Sequence, residues 1–148
     1  MDSSGEKKVI EFSLPYPPSV NHYYDRSKDG KVFLKKKVKE YREFVLWSLK
    51  NKILYSFGKK LVRMEIHIYH PDRRERDLDN TLKCIFDTIQ LLGVYERDSQ
   101  IKMFLVMFKG IIKNGRVDII MQELGLIEQF KMATQSVFNK ICSWCSHD

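Results

Sequence analysis

Between Leu61 and Leu92 the apolar residues change their spacing once, and a dense run of charge fills the change. Val62, Met64, Ile66 and Ile68 alternate with Arg63, Glu65, His67 and Tyr69, the period of two that sends successive side chains to opposite faces of a strand. Leu82, Ile85, Phe86, Ile89 and Leu92 then recur at three and four, the spacing of a helix with one apolar face, and Gly93 is placed to end it. A chain that switches period over so short a stretch builds a strand that feeds a helix, and its core is a sheet covered by helices.

The rest of the chain extends this pattern. Val9 to Leu14 alternates Ile10, Phe12 and Leu14 against Glu11 and Ser13 as a first strand, and Pro15-Tyr16-Pro17-Pro18 ends it because proline cannot donate to a ladder. Aromatic faces and donors alternate in the loop Asn21-His22-Tyr23-Tyr24-Asp25-Arg26, and Lys28-Asp29-Gly30-Lys31 reads as a tight turn. From Lys35 to Phe57, Val38, Tyr41, Val45, Leu49 and Ile53 predict an amphipathic helix of about 20 residues. Ile101 to Phe108 is apolar on both faces, which predicts a central strand, and Asn114-Gly115 predicts a two-residue hairpin turn into a last strand, Arg116 to Met121. The expected fold is α+β, a single domain with a β-α-β-α-β-β mixed sheet over residues 1–124. Leu126, Phe130, Ala133, Val137, Ile141 and Trp144 predict a further helix, so 125–148 is expected to be a C-terminal helical extension of that domain.

Composition narrows the class. Apolar residues at 43% and aromatics at 12% are too many for a disordered chain. The longest apolar run, Met103 to Phe108, is far short of the roughly 18 residues that span a bilayer. Asp2, Glu6 and Glu11 with no apolar leader segment lead to the expectation of a cytosolic protein. Lys and Arg outnumber Asp and Glu by 26 to 19, and the whole excess lies in residues 1–69, where 15 basic residues face 8 acidic ones. Such a surplus suits a polyanion such as nucleic acid, although solvated lysines on a helix give the same count. Cys84, Cys142 and Cys145 are expected to be reduced thiols, and Cys142, Cys145 and His147 fall short of the four ligands of a closed zinc site.

The junction itself reads His70-Pro71-Asp72-Arg73-Arg74-Glu75-Arg76-Asp77-Leu78-Asp79-Asn80. In an extended segment Asp77 and Asp79 point the same way, and Asp79 suits the cap of a helix begun by Asn80 or Thr81. Lys83 and Asp87 follow Asp79 at helical spacing, giving a stripe of Asp79, Lys83 and Asp87, while Glu96 and Asp98 stand in the loop before the next strand. Carboxylates converging without thiols favour a hard cation, Mg²⁺ above all, able to activate water and stabilise charge on a phosphate. Lys83 would then neutralise the phosphate or orient the water, with Arg73, Arg74 and Arg76 on neighbouring phosphates. The plainer alternative is a capping aspartate, an Asp79–Lys83 helix pair and a solvated basic loop.

Taken in order, these residues resemble the RusA family of Holliday junction resolvases. The likeness rests on Leu14-Pro15-Tyr16-Pro17-Pro18-Ser19-Val20-Asn21, on Pro71-Asp72-Arg73-Arg74 with Arg76-Asp77-Leu78-Asp79-Asn80, on Lys83 and Phe86-Asp87, and on Gly93-Val94-Tyr95-Glu96-Arg97-Asp98-Ser99-Gln100-Ile101. It implies a homodimeric, Mg²⁺-dependent endonuclease that resolves four-way DNA junctions by paired symmetric nicks in recombination and repair. By the same resemblance Asp77, Asp79 and Asp98 look like metal-binding catalytic aspartates and Lys83 like the catalytic lysine. Arg73, Arg74, Arg76, Asn80, Asn21, Tyr23 and Tyr24 are the expected DNA contacts. Arg97 stands where family members often carry a second acidic residue, which leaves one carboxylate fewer. A nuclease for flaps or other branched substrates, or a catalytically inactive structure-selective DNA-binding protein, are the alternative expectations.

Overall fold

The computed structural model describes residues 8–18, 24–76, 78–126, 128–131 and 134. Strand β1 (Val9–Pro15) is followed by a hairpin of β2 (Tyr24–Arg26) and β3 (Val32–Leu34), helix α1 (Lys36–Leu49), β4 (Val62–His70), helix α2 (Leu78–Leu91), a 3-10 turn at Asp98–Gln100, β5 (Ile101–Ile111) and β6 (Arg116–Glu123). The main sheet runs β1-β6-β4-β5, with β4 and β5 parallel and the other two pairings antiparallel. It is a mixed α+β fold, as the alternating periods predict.

One face of the sheet is the core. Leu14, Val62, Met64, Ile66, Ile68, Val117, Ile119 and Met121 are buried there under Val38, Tyr41 and Val45 of α1 and Cys84, Ile85 and Ile89 of α2. Tyr41 Oη donates to the carbonyl of Pro15 at 2.9 Å, fixing α1 to the end of β1. The opposite face is polar along β4 and carries Arg116 and Asp118 of β6, with Ser13 Oγ donating to Asp118 at 2.7 Å.

Three expectations are corrected. First, β5 is an edge strand and not a central one, and Met103, Phe104, Leu105, Phe108 and Ile111 are exposed on it. Apolar residues on both faces of a strand record what covers it, and here the covering elements are absent from the described residues. Second, Asn114-Gly115 closes no hairpin, because β6 pairs with β4 and β1 and not with β5. The segment instead carries the chain across the end of β4, where Ile112 N donates to the His70 carbonyl at 3.0 Å. Asn114 and Gly115 hold φ of 69° and 64°, and a Cβ on Gly115 would lie 2.8 Å from Tyr16 Cβ and 2.9 Å from Pro71 Cδ. The pair is therefore suited to a tight crossing as well as to a hairpin.

Third, α1 stops at Leu49 rather than near Phe57. Phe57 is buried, and its amide donates to the Val94 carbonyl at 2.8 Å, which draws 53–57 out of helical geometry. Lys28–Lys31 turns as expected, and the turn joins two strands, β2 and β3. Gly93, with φ of 77°, ends α2 by donating to the Gln90 carbonyl. Of the C-terminal extension, Leu126 and Phe130 are helical and exposed, while Val137, Ile141, Cys142, Trp144, Cys145 and His147 lie outside the described residues. Among the described residues no helix is long and apolar enough to cross a membrane.

Candidate active site

Helix α2 begins at Leu78, so Asp79 lies in its first turn and not at its cap. Early helical carboxylates still gain from the exposed amide ends of the helix. Asp79 and Lys83 are both exposed and one helical turn apart. Asp87, the third member of the expected stripe, is committed elsewhere: its Oδ2 accepts from Arg42 Nη2 of α1 at 2.8 Å, with both side chains largely covered. The stripe is thus two residues long on its solvent side, and Asp87 joins the two helices.

Asp98 comes to the same helix from the far side of the loop. Tyr95 is buried, and its hydroxyl lies 2.9 Å from the Phe86 carbonyl of α2 and 3.0 Å from Asp98 Oδ1. One proton serves both acceptors, and the contact seats the Asp98 carboxylate beside α2 near the turn after Lys83. Burial, with the Asp98 charge beside it, pushes the Tyr95 phenol far above its usual range, so it remains a donor. Gln100 fixes the loop from below. Its Oε1 accepts from the amides of Glu96 and Arg97, and its Nε2 donates to the carbonyls of Gly58 and Lys60 at 2.6 and 2.8 Å. Gln90 Nε2 adds a bond to the Glu96 carbonyl at 2.7 Å.

The arginine segment is organised around Tyr16. Tyr16 Oη lies 2.9 Å from His70 Nδ1 at the segment's start and is bonded to Thr81 at its end. The Arg76 guanidinium stands over the Tyr16 ring, 5.5 Å from its centroid. Burial and the Arg76 charge lower the His70 pKa, which favours the neutral imidazole beside the phenol. Arg76 also donates to Asp72 Oδ2 at 2.8 Å and to the Arg74 carbonyl at 3.0 Å, and its side chain is only 11% exposed. Arg73 and Arg74 are exposed and face solvent.

The β2–β3 hairpin closes the other side. Lys83 Nζ lies 5.4 Å from the centroid of the Tyr24 ring. Asp77, Asn21 and Tyr23 lie outside the described residues, and Asn80 is placed by its backbone alone in the first turn of α2. Tyr16, Tyr95 and Gln100 hold the site together, yet sequence reasoning gave them no role. A lone aromatic among prolines and a glutamine before an apolar strand were the available signals.

Among the described residues no group of three His, Cys, Asp or Glu side chains is close enough to hold a metal. The donors α2 and the Asp98 loop do offer are carboxylates, the oxygen ligands a hard divalent cation takes. The family model for endodeoxyribonuclease RusA matches residues 15–122, a span containing every candidate residue. Crossover junction endodeoxyribonuclease RusA from Shigella sonnei strain Ss046 and from Escherichia coli strain K12 are each 34% identical over 117 residues, 79% of this chain and 97% of theirs. A relative of the same name from Enterobacteria phage 82 matches with the same identity and coverage.

Proposed function

The chain belongs to the RusA family of endodeoxyribonucleases, and from that premise we propose that it resolves four-way DNA junctions by paired, symmetric, Mg²⁺-dependent nicks in DNA recombination and repair. The observation that carries this reading is the return of the Asp98 loop to α2, where Tyr95 seats the Asp98 carboxylate on the helix that bears Asp79 and Lys83. Residues far apart in sequence meet on one helix, beside a segment with two exposed arginines.

Asp77, Asp79 and Asp98 are the residues that would hold the metal. When bound, it supplies a more acidic water and partial neutralisation of the phosphate. Lys83 places an ammonium where negative charge builds on the phosphate in the transition state. Arg73 and Arg74 grip flanking phosphates as charge-assisted donors, with Asn80, Asn21, Tyr23 and Tyr24 as further DNA contacts. Arg76 serves the same end indirectly, because its bonds to Asp72 and the Arg74 carbonyl set the shape of the segment.

A homodimer fits both substrate and surface. A two-fold symmetric junction requires two sites related by that symmetry. The exposed apolar residues of β5 lie on both faces of an edge strand, and a second sheet docked along that edge covers both at once.

The test is incubation of the purified protein with a synthetic four-way junction, a matched duplex and a single strand, with Mg²⁺ or with EDTA, resolved on a denaturing gel. Symmetric nicks confined to the junction and abolished by EDTA are expected, and Asp79→Asn should reduce cleavage at least about 1,000-fold while leaving junction binding equal or tighter. Cleavage by Asp79→Asn at the wild-type rate overturns the site assignment. Junction binding with no metal-dependent product would instead identify a catalytically inactive junction-binding protein, the alternative that Arg97 beside Asp98 raises.

A further inference from the structure

The β2–β3 hairpin stands apart from the main sheet as its own two-stranded ribbon. Its register places Tyr24 opposite Leu34, Asp25 opposite Phe33 and Arg26 opposite Val32. Leu34 packs on the core and leads directly into α1, so the root of the ribbon is anchored. The turn is closed by Ser27 N donating to the Lys31 carbonyl at 2.9 Å and Gly30 N to the Ser27 carbonyl at 3.0 Å, with Gly30 at φ of 79°. Arg26, Lys28 and Lys31 are exposed toward this turn. At the anchored end, in register with Leu34, the ring of Tyr24 lies beneath the Lys83 ammonium.

A lysine on an exposed helix face has four rotatable bonds and no intrinsic reason to hold its charge in one place. An aromatic face attracts an ammonium through its quadrupole, which restricts where the charge sits and leaves it positive. Tyr24 supplies that face from a different element than the one carrying Lys83. We propose that Tyr24 is the positioning residue for Lys83, holding its ammonium on the ring so that the hairpin, and not α2 alone, sets where the charge meets the phosphate. The inference rests on the reading of Lys83 as the catalytic lysine. It also makes the hairpin a coupling element, because the arm that exposes Arg26, Lys28 and Lys31 is the arm that orients the lysine.

Two measurements test it. In the first, lysines of the full-length protein are converted to ¹³C-dimethyl-lysine, which keeps their charge, and the Lys83 resonance is assigned by its loss in Lys83→Met. Ring-current displacement of that resonance is expected in the wild type, Tyr24→Phe and Tyr24→Trp, and its return to the common lysine position in Tyr24→Leu, with the other lysines unmoved as a check of folding. In the second, single-turnover cleavage at saturating enzyme is compared with junction binding in EDTA. At saturating enzyme Tyr24→Leu should slow cleavage about 3- to 30-fold, the range a cation–π contact supports, whatever it costs in junction binding, and Tyr24→Phe should restore the rate. A Lys83 resonance indifferent to Tyr24→Leu overturns the proposal. So does a Tyr24→Phe variant as slow as Tyr24→Leu, or weaker binding with an unchanged rate at saturation, which would make Tyr24 only a DNA contact. The resonance is read without DNA, so a displaced Lys83 signal in a protein that cuts no junction would sink the functional reading and leave the contact standing.

Discussion

Asp72 and Arg76 show how the charged segment keeps its shape at the scale of single residues. The hydrogen bond from Arg76, then the bond from the Arg74 amide, hold the Asp72 carboxyl down at about 2. A carboxylate whose pKa is depressed by folding contributes stability above its ordinary range, and loses it as pH falls through the folded value. The segment is therefore expected to keep its form through neutral and mildly acidic pH and to loosen only between about pH 4 and 2. Carboxyl ¹³C shifts should show Asp72 titrating near 2 in the wild type and returning toward an ordinary aspartate in Arg76→Ala. A wild-type midpoint near 4 would show that the Arg76 tie does not form in solution. From sequence, the three arginines were interchangeable phosphate ligands. Only the fold separates the covered Arg76 from the exposed Arg73 and Arg74, because its partner Asp72 and the Tyr16 ring define a pocket that composition cannot reveal.

Among the elements, α2 and β4 were legible because a single amphipathic period reports a single buried face: Val62, Met64, Ile66 and Ile68 of β4 and Ile85 and Ile89 of α2 are buried, with Leu82 and Phe86 packed against them. Placing Asp79 and Lys83 on one helix followed from that period. Support for Asp98 was not legible, because the groups that satisfy Gln100 lie about 40 residues away in the chain, on the loop before β4. Gln100 is 7% exposed and uses both ends of its amide, so truncation leaves two amides and two carbonyls without their partner. Gln100→Ala is expected to cost about 2–4 kcal/mol, from several lost hydrogen bonds and newly unsatisfied groups. It should lower the urea midpoint at unchanged m-value and slow cleavage as the Asp98 loop loosens. Wild-type stability in this variant would show that the clamp contributes nothing. The misread Asn114-Gly115 turn belongs to this scale too: its local chemistry is compatible with a hairpin, and strand order, a long-range property, decided otherwise.

For the whole molecule, the unresolved question of the sequence was what the two apolar faces of Ile101 to Phe108 meet. A central position in the sheet and an edge covered by another chain leave the same pattern, and the strand order selects the edge. Leu105 pairs in register with Glu65 on the polar side and Phe108 with Ile68 on the core side, so the two exposed residues flank the edge on opposite faces. If a second copy docks along β5, a charge on either flank is buried twice per dimer. Leu105→Glu and Phe108→Glu are each expected to raise the dimer dissociation constant about 100-fold or more, since each loses apolar burial and desolvates a carboxylate in both copies. Sedimentation velocity should find the wild type at twice the 17.6 kDa chain mass and the variants near the chain mass itself. Function should follow assembly on a supercoiled plasmid extruding a cruciform. A dimer would cut both strands within one encounter and give linear product, whereas a monomer would release after one cut, relax the supercoil, lose the cruciform and leave nicked circles. Variants that remain dimeric would place the interface elsewhere, and a wild-type monomer that still yields linear product would remove the need for a dimer at all.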